Sequence, residues 1–136
     1  MAGIRKVKYY TTKVSQRPGA GAGLLAALKR AGVNLLAFHG FPERGGAQVD
    51  FFPQNGARFR RAAASAGLRV SKRKTAFLAQ GADRVGALSG TLGRLAAAKI
   101  NLVALSAVTA GKGRYGMLFW VKPKDVARAA RALRAR

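Results

Sequence analysis

The sequence predicts an α+β fold built from two βαββαβ-type units in tandem, and three observations lead there. First, a segment occurs twice: Arg17 to Leu35 reads RPGAGAGLLAALKRAGVNL, and Arg84 to Leu102 reads RVGALSGTLGRLAAAKINL. A shift of 67 residues (84 − 17) pairs Arg17 with Arg84, Gly19 with Gly86, Leu25 with Leu92, Leu28 with Leu95 and Asn34 with Asn101, without a gap. Such self-similarity marks two copies of one folding unit. Second, each copy has the same local grammar: a glycine turn, an apolar helix, and a short aliphatic strand headed by Asn. Third, strand-like and helix-like stretches follow in the same order in both halves.

The elements read as follows. Ile4 to Val14 is rich in Val, Tyr and Thr, which suit a pleated surface, and is predicted as a strand. Ser15 to Gly23 is a turn, and the following helix runs to about Ala31, with Leu24, Leu25 and Leu28 on one face. Gly32 is a natural helix stop; Lys99 takes its place in the second copy, so that stop is weaker. Val33 to Phe41 is a strand, residues 42–46 a hairpin connection, and Ala47 to Phe52 the returning strand. Pro53 breaks it, Asn55 caps a helix through Ala66, and Gly67 ends that helix.

Leu68 to Gln80 is extended and holds two strands, the last of unit one and the first of unit two. Asp83 precedes a helix that runs to Ala98; here Leu88, Leu92 and Leu95 form the apolar face. Ile100 to Thr109 and Arg114 to Lys122 are strands around a loop at residues 110–113, and Pro123 with Asp125 repeats the Pro53–Asn55 start of a final helix. The units therefore span residues 1–72 and 73–136, the second lacking its last strand. Each is an antiparallel sheet with helices on one face, of ferredoxin-like type. The other face is also apolar, from Leu36, Phe38, Leu118 and Trp120, and needs a cover, a second unit or a second chain. The edge of the strand near Lys74 to Gln80, left open by the missing strand, is expected to pair with another segment.

Composition narrows the function. The chain of 136 residues is 49% hydrophobic, enough for a substantial core in one or two small domains. It has no cysteine, which removes disulfides and thiolate chemistry. No signal-peptide pattern and no membrane-spanning apolar run is visible, so the default is a cytoplasmic protein without membrane association. Twenty-six Lys and Arg stand against Glu43, Asp50, Asp83 and Asp125, a net charge of +22 that attracts polyanions whatever the fold. The basic residues are scattered, apart from Lys72-Arg73-Lys74 and the stripe Lys124, Arg128, Arg131, which a solvated helix face also explains. No catalytic constellation is visible: His39 is the only histidine, the four acids are dispersed, and no Lys-Ser or Lys-Thr follows the glycines of residues 19–23. The expectation is a non-enzymatic protein that uses no cofactor and no metal.

Two units, each with a glycine turn into a helix and an Asn heading the second strand, resemble tandem ACT domains. That family's pattern is roughly Asp-x-Pro-Gly-x-Leu, a helix, then Gly-Ile/Val-Asn. Unit one carries Pro18, Gly19, Gly32, Val33 and Asn34, with Gln16 in place of the acid and Gly21 in place of Leu. Unit two carries Asp83, Gly86, Leu88, Ile100 and Asn101, with Val85 in place of Pro. The resemblance implies a regulatory or sensing module that binds an amino acid or similar small metabolite at an ACT–ACT interface, and a homodimer or higher homo-oligomer. Carried over, the ligand-binding residues are Gln16, Arg17, Pro18, Gly19, Ala20 and Asn34, with Asp83, Arg84, Val85, Gly86, Ala87 and Asn101. The residue types suit the task. Glycine lets backbone approach a ligand, helix-start N–H groups attract a carboxylate, and Asn offers both donor and acceptor. Asp83 serves either to pair with an ammonium or to cap its helix.

The alternative is a basic RNA- or DNA-binding module, because the RNA-recognition motif shares the βαββαβ order. Arg114-Tyr115-Gly116-Met117-Leu118-Phe119-Trp120 falls on a third strand, where that motif carries its stacking aromatics. It lacks the glycine after the basic residue and has Met where an aromatic is expected.

Overall fold

A computed structural model describes residues 3–136. Its elements are β1 (Gly3–Val14), α1 (Ala20–Arg30), β2 (Leu35–Glu43), β3 (Gly46–Pro53), α2 (Gly56–Ser65), β4 (Lys74–Ala82), α3 (Ser89–Ala97), β5 (Leu102–Gly111), β6 (Arg114–Val121) and α4 (Val126–Leu133). Each expected strand and helix is present, apart from the strand expected at the start of 68–80. They form two compact units: an N-terminal module of Lys8–Lys74, and a C-terminal module of Thr75–Arg136 together with residues 3–7. Residues 3–7 thus group with the second module.

In the N-terminal module the strand order is β2-β3-β1, all antiparallel. The inward residues Tyr10, Val49 and Phe51 meet Leu28 of α1 and Phe59 and Ala63 of α2. Aromatic rings dominate this core: Phe51 and Phe59 lie 5.2 Å apart, and Tyr10 stacks on Phe59 at 5.1 Å. Such ring pairs contribute about 0.5–1.5 kcal/mol beyond the area they bury. Residues 68–73 form no ladder strand, but they run beside β1, where the Ser71 amide donates to the Thr11 carbonyl at 2.8 Å. The returning bond is made by a side chain: the Thr11 amide donates to Ser71 Oγ at 3.0 Å. That exchange takes the place of a second backbone bond, so the stretch is extended without being a regular strand.

The C-terminal module has the order β1-β4-β6-β5. Its core joins Phe77 and Ala79 of β4, Tyr115, Met117, Phe119 and Val121 of β6, Leu95 of α3, and Ala129 and Leu133 of α4. The open edge of β4 is filled as expected, and the filling segment comes from the same chain: the opening residues of β1 lie beside β4, and Ile4 joins the module's core. On the far side of those residues, the Arg136 amide donates to the Ile4 carbonyl at 3.0 Å, and the Lys6 amide donates to the Arg136 carbonyl at 2.9 Å. Residues 3–7 thus serve as the fourth strand of this module.

The 67-residue repeat extends into backbone geometry. Each of the four helices ends in the same pair of bonds, Gly32→Lys29 with Val33→Leu28, Gly67→Ala64 with Leu68→Ala63, Lys99→Ala96 with Ile100→Leu95, and Arg134→Arg131 with Ala135→Ala130. This is the Schellman ending, which needs a left-handed residue after the helix. Glycine supplies it in the N-terminal module (Gly32, φ 71°; Gly67, φ 69°), whereas Lys99 (φ 57°) and Arg134 (φ 53°) are forced into it in the other. Lys112 (φ 56°) likewise stands where the first hairpin has Gly45 (φ 82°). Among the described residues, the non-glycine residues with positive φ are these three, each aligned with a glycine of the first copy.

Three expectations are corrected. Phe38 lies on the helix-facing side of its sheet, because it stands opposite Phe51 with ring centroids 5.3 Å apart. The cause is a register shift between Leu35 and Ala37, which turns every later side chain of β2 over. Helix α3 starts at Ser89, later than its preceding acid suggests, since residues 85–88 are used in a turn first. Asp83 is therefore not its cap; α3 has no side-chain cap bond. By contrast, Leu118 and Trp120 are buried, and Asn55 Oδ1 accepts from the Arg58 amide at 3.0 Å as the cap of α2. No helix among the described residues is long and apolar enough to cross a membrane.

Candidate functional site

The strand–helix junction of the C-terminal module is built by a tight double turn. β4 ends at Ala82, and the Asp83 amide is held by the Gly113 carbonyl at 2.8 Å. The Ala87 amide then donates to Arg84 O, and the Ser89 amide to Gly86 O, both at 3.0 Å. Gly86 has φ 73°, so the turn requires a residue free to enter the left-handed region. Ser89 Oγ donates back to Gly86 O at 2.9 Å and fixes the turn to the first residue of α3.

Beside this junction lies a cavity of about 560 Å³. Arg84, Val85, Gly86 and Ala87 are among its lining residues. Gly90, Thr91 and Arg94 of α3 are others. Gln80, Gly81, Arg114 and Tyr115 come from the sheet, while Arg5 and Arg136 close it from the segment of β1 and its neighbour. Arg5, Arg94 and Arg136 belong to no motif, and Arg114 and Tyr115 stand out in the sequence only as the start of the RNA-recognition-like stretch; nothing in the spacing of the five signals that they converge. The expected residues Asp83 and Asn101 do not line this cavity, and both are exposed.

Two buried hydroxyls belong to this site. Thr91 is buried at the start of α3. Tyr115 is 6% exposed, and its hydroxyl oxygen has no hydrogen-bond partner among the described residues. Gly81 gives that ring its room: a Cβ there would stand 3.0 Å from Tyr115 Cε1 and 3.2 Å from the hydroxyl.

The matching junction of the N-terminal module has another character. Gly19 enters the left-handed region with φ 89°, as Gly86 does. Gln16, Arg17, Pro18 and Ala20 line a cavity of about 520 Å³ whose opposite wall holds Phe38, Phe41 and Val49. Arg17 is the one charged residue there, and its Nε donates to Ser15 Oγ at 2.9 Å. Asn34 belongs to a separate cavity of about 320 Å³ with Gln54, Asn55 and Arg58. Its Nδ2 donates to Gln54 Oε1 at 3.2 Å, and its carbonyl accepts from the Gln54 amide at 2.9 Å. Neither module, taken by itself, brings its turn and its asparagine into one cavity. Among the described residues, no group of three or more His, Asp or Glu is placed to hold a metal ion.

The repeat, the element order and the glycine junctions together define a tandem α+β fold, and solved structures share it. Protein BT0572 from Bacteroides thetaiotaomicron superposes with a TM-score of 0.77 at 14% identity, over 98% of this chain and 88% of that one. The regulatory subunit of aspartate kinase from Thermus thermophilus, in its ligand-free form, gives 0.65 at 11% identity, over 98% and 94%. A putative C-terminal regulatory domain of aspartate kinase from Porphyromonas gingivalis W83 gives 0.56 at 13% identity, over 98% and 93%. No family model matches the sequence, and no curated protein does. The chain thus has the tandem ACT fold that its doubled turn–helix–Asn pattern resembles.

Proposed function

We propose that the chain is a non-enzymatic regulatory module that senses an amino acid or similar small metabolite at its strand–helix turns. One observation carries this reading: each module places its glycine turn against a cavity of ligand size, about 520 and 560 Å³. Small-molecule sites commonly measure about 300–1,000 Å³. The likeness to regulatory subunits of aspartate kinase supports the same reading by fold. The residues given this role are Gln16, Arg17, Pro18 and Ala20 in the first cavity, with Gly19 as the bend, and Arg84, Val85, Gly86 and Ala87 in the second.

The nucleic-acid reading is less well supported. Stacking on bases needs open aromatic faces. Phe119 and Trp120 of β6 are 0% and 8% exposed. A thermal-shift panel of the common amino acids tests the sensing reading. At least one is expected to raise the midpoint at millimolar concentration; a flat response, together with no response to other small metabolites, would contradict it.

A further inference from the structure

We propose that the cavity of the C-terminal module is a site for a small polyanion carrying two or more phosphate groups. The inference rests on the sensing reading above and narrows the ligand of this half to a class other than the neutral amino acids.

Charge is the first ground. Five arginines, Arg5, Arg84, Arg94, Arg114 and Arg136, are among the residues that line one cavity, and no Asp or Glu is. The module's own acids are used or turned elsewhere: Asp125 is bound by Arg128 at 2.9 Å, and Asp83 is exposed outside the lining. No lysine takes part. The planar fork of Arg matches phosphate in bidentate fashion, which a lysine ammonium cannot do. A neutral amino acid brings an ammonium for every carboxylate. Inside this wall its ammonium would meet five like charges, with only the Gln80 amide, two hydroxyls and backbone carbonyls as acceptors. A diphosphate brings several negative charges and acceptor oxygens on every side.

The second ground is independent of charge. Tyr115 belongs to the cavity lining, its side chain is more than nine-tenths buried, and its hydroxyl, beside Gly81, has no hydrogen-bond partner among the described residues. Buried polar groups are nearly always hydrogen-bonded, and an unpaired one in a pocket marks a missing partner. A phosphate oxygen supplies an acceptor for it. Gly90 and Thr91, at the start of α3, add backbone donors that have no partner within the helix. The volume of about 560 Å³ suits a small molecule, not a polymer.

The test titrates the full chain with inorganic pyrophosphate at physiological salt, by calorimetry, beside a panel of neutral amino acids and a single-stranded oligonucleotide. The variant Arg84→Ala/Arg114→Ala removes two cavity charges; Lys124→Ala/Arg131→Ala removes two exposed charges of the same module and is the control. Pyrophosphate is expected to bind the native chain. The cavity variant should weaken it at least about tenfold, and the control less than about twofold. Tyr115→Phe, which keeps the ring, should weaken it about tenfold with an unchanged circular dichroism spectrum. Equal losses in both double variants, or oligonucleotide affinity that falls equally in both and displaces pyrophosphate, would overturn the site. A neutral amino acid that binds while pyrophosphate does not would overturn the polyanion and leave the sensing reading standing. No response to either would remove both.

Discussion

Replacing Tyr115 by Phe isolates a buried side-chain oxygen that has no hydrogen-bond partner among the described residues, on a residue that lines the cavity. The ring is part of the core with Phe77, Met117 and Phe119, so Phe retains the packing and deletes only the oxygen. A buried donor without a partner costs about 1–3 kcal/mol, and removing it restores that amount to the ligand-free chain. At roughly 4 °C per kcal/mol for a chain of this length, the melting midpoint should rise by about 4–12 °C. Pyrophosphate works against that advantage. At about 100 times its dissociation constant it adds about 2.7 kcal/mol to the native chain. A variant that binds about tenfold more weakly receives about 1.4 kcal/mol less, so the advantage of Phe shrinks or vanishes. Differential scanning calorimetry with and without pyrophosphate reads both limbs. A fall of several degrees without ligand would show that the hydroxyl is already satisfied. An advantage unchanged by pyrophosphate would show that the ligand never meets it.

Other perturbations test the fold that carries the site. Asn55→Ala removes the side-chain bond to the Arg58 amide and should cost about 1 kcal/mol in urea unfolding; no loss would mean α2 is not capped there. Gly46→Ala drives a Cβ into the Val14 carbonyl oxygen, a backbone atom that cannot yield. A loss of about 1–3 kcal/mol is expected, and retained stability would show that β1 and β3 can separate at that point. Lys99→Gly relieves a left-handed lysine at φ 57° and should stabilise the chain by about 1 kcal/mol, whereas Gly32→Lys should cost a similar amount. Opposite signs at these matched positions are the signature of a shared helix ending; equal signs would contradict it.

Much of the fold is legible in the residues because it is set locally. Leucines at one-turn spacing give α1 and α3, Pro53 and Asn55 give the start of α2, and the doubled segment gives the pair of units. What escapes the sequence is decided at long range. The residues 3–7 side with the C-terminal module because an edge of β4 is open there, a fact about chain topology that their own pattern does not carry. Nothing in Leu35-Leu36-Ala37 announces a register shift, yet it turns Phe38 to the other face. The site is divided in the same way. Gly86 and its neighbours were readable as a turn, since the turn needs a left-handed residue. Arg5, Arg94, Arg114 and Arg136 are separated by tens of residues and meet only through the fold. Lys99 shows the reverse case: the weak stop read from its sequence is a real helix end, held by tertiary packing of Ile100.

Backbone amide shifts followed by NMR during a pyrophosphate titration are the most direct check on where a ligand acts. Saturable changes are expected at Arg84, Gly86, Ala87, Gly90, Thr91 and Arg114, with α4's exposed residues still. Changes spread evenly over the basic surfaces of α2 and α4, with the turn before α3 silent, would mean that charge alone draws the anion and that the cavity is no site.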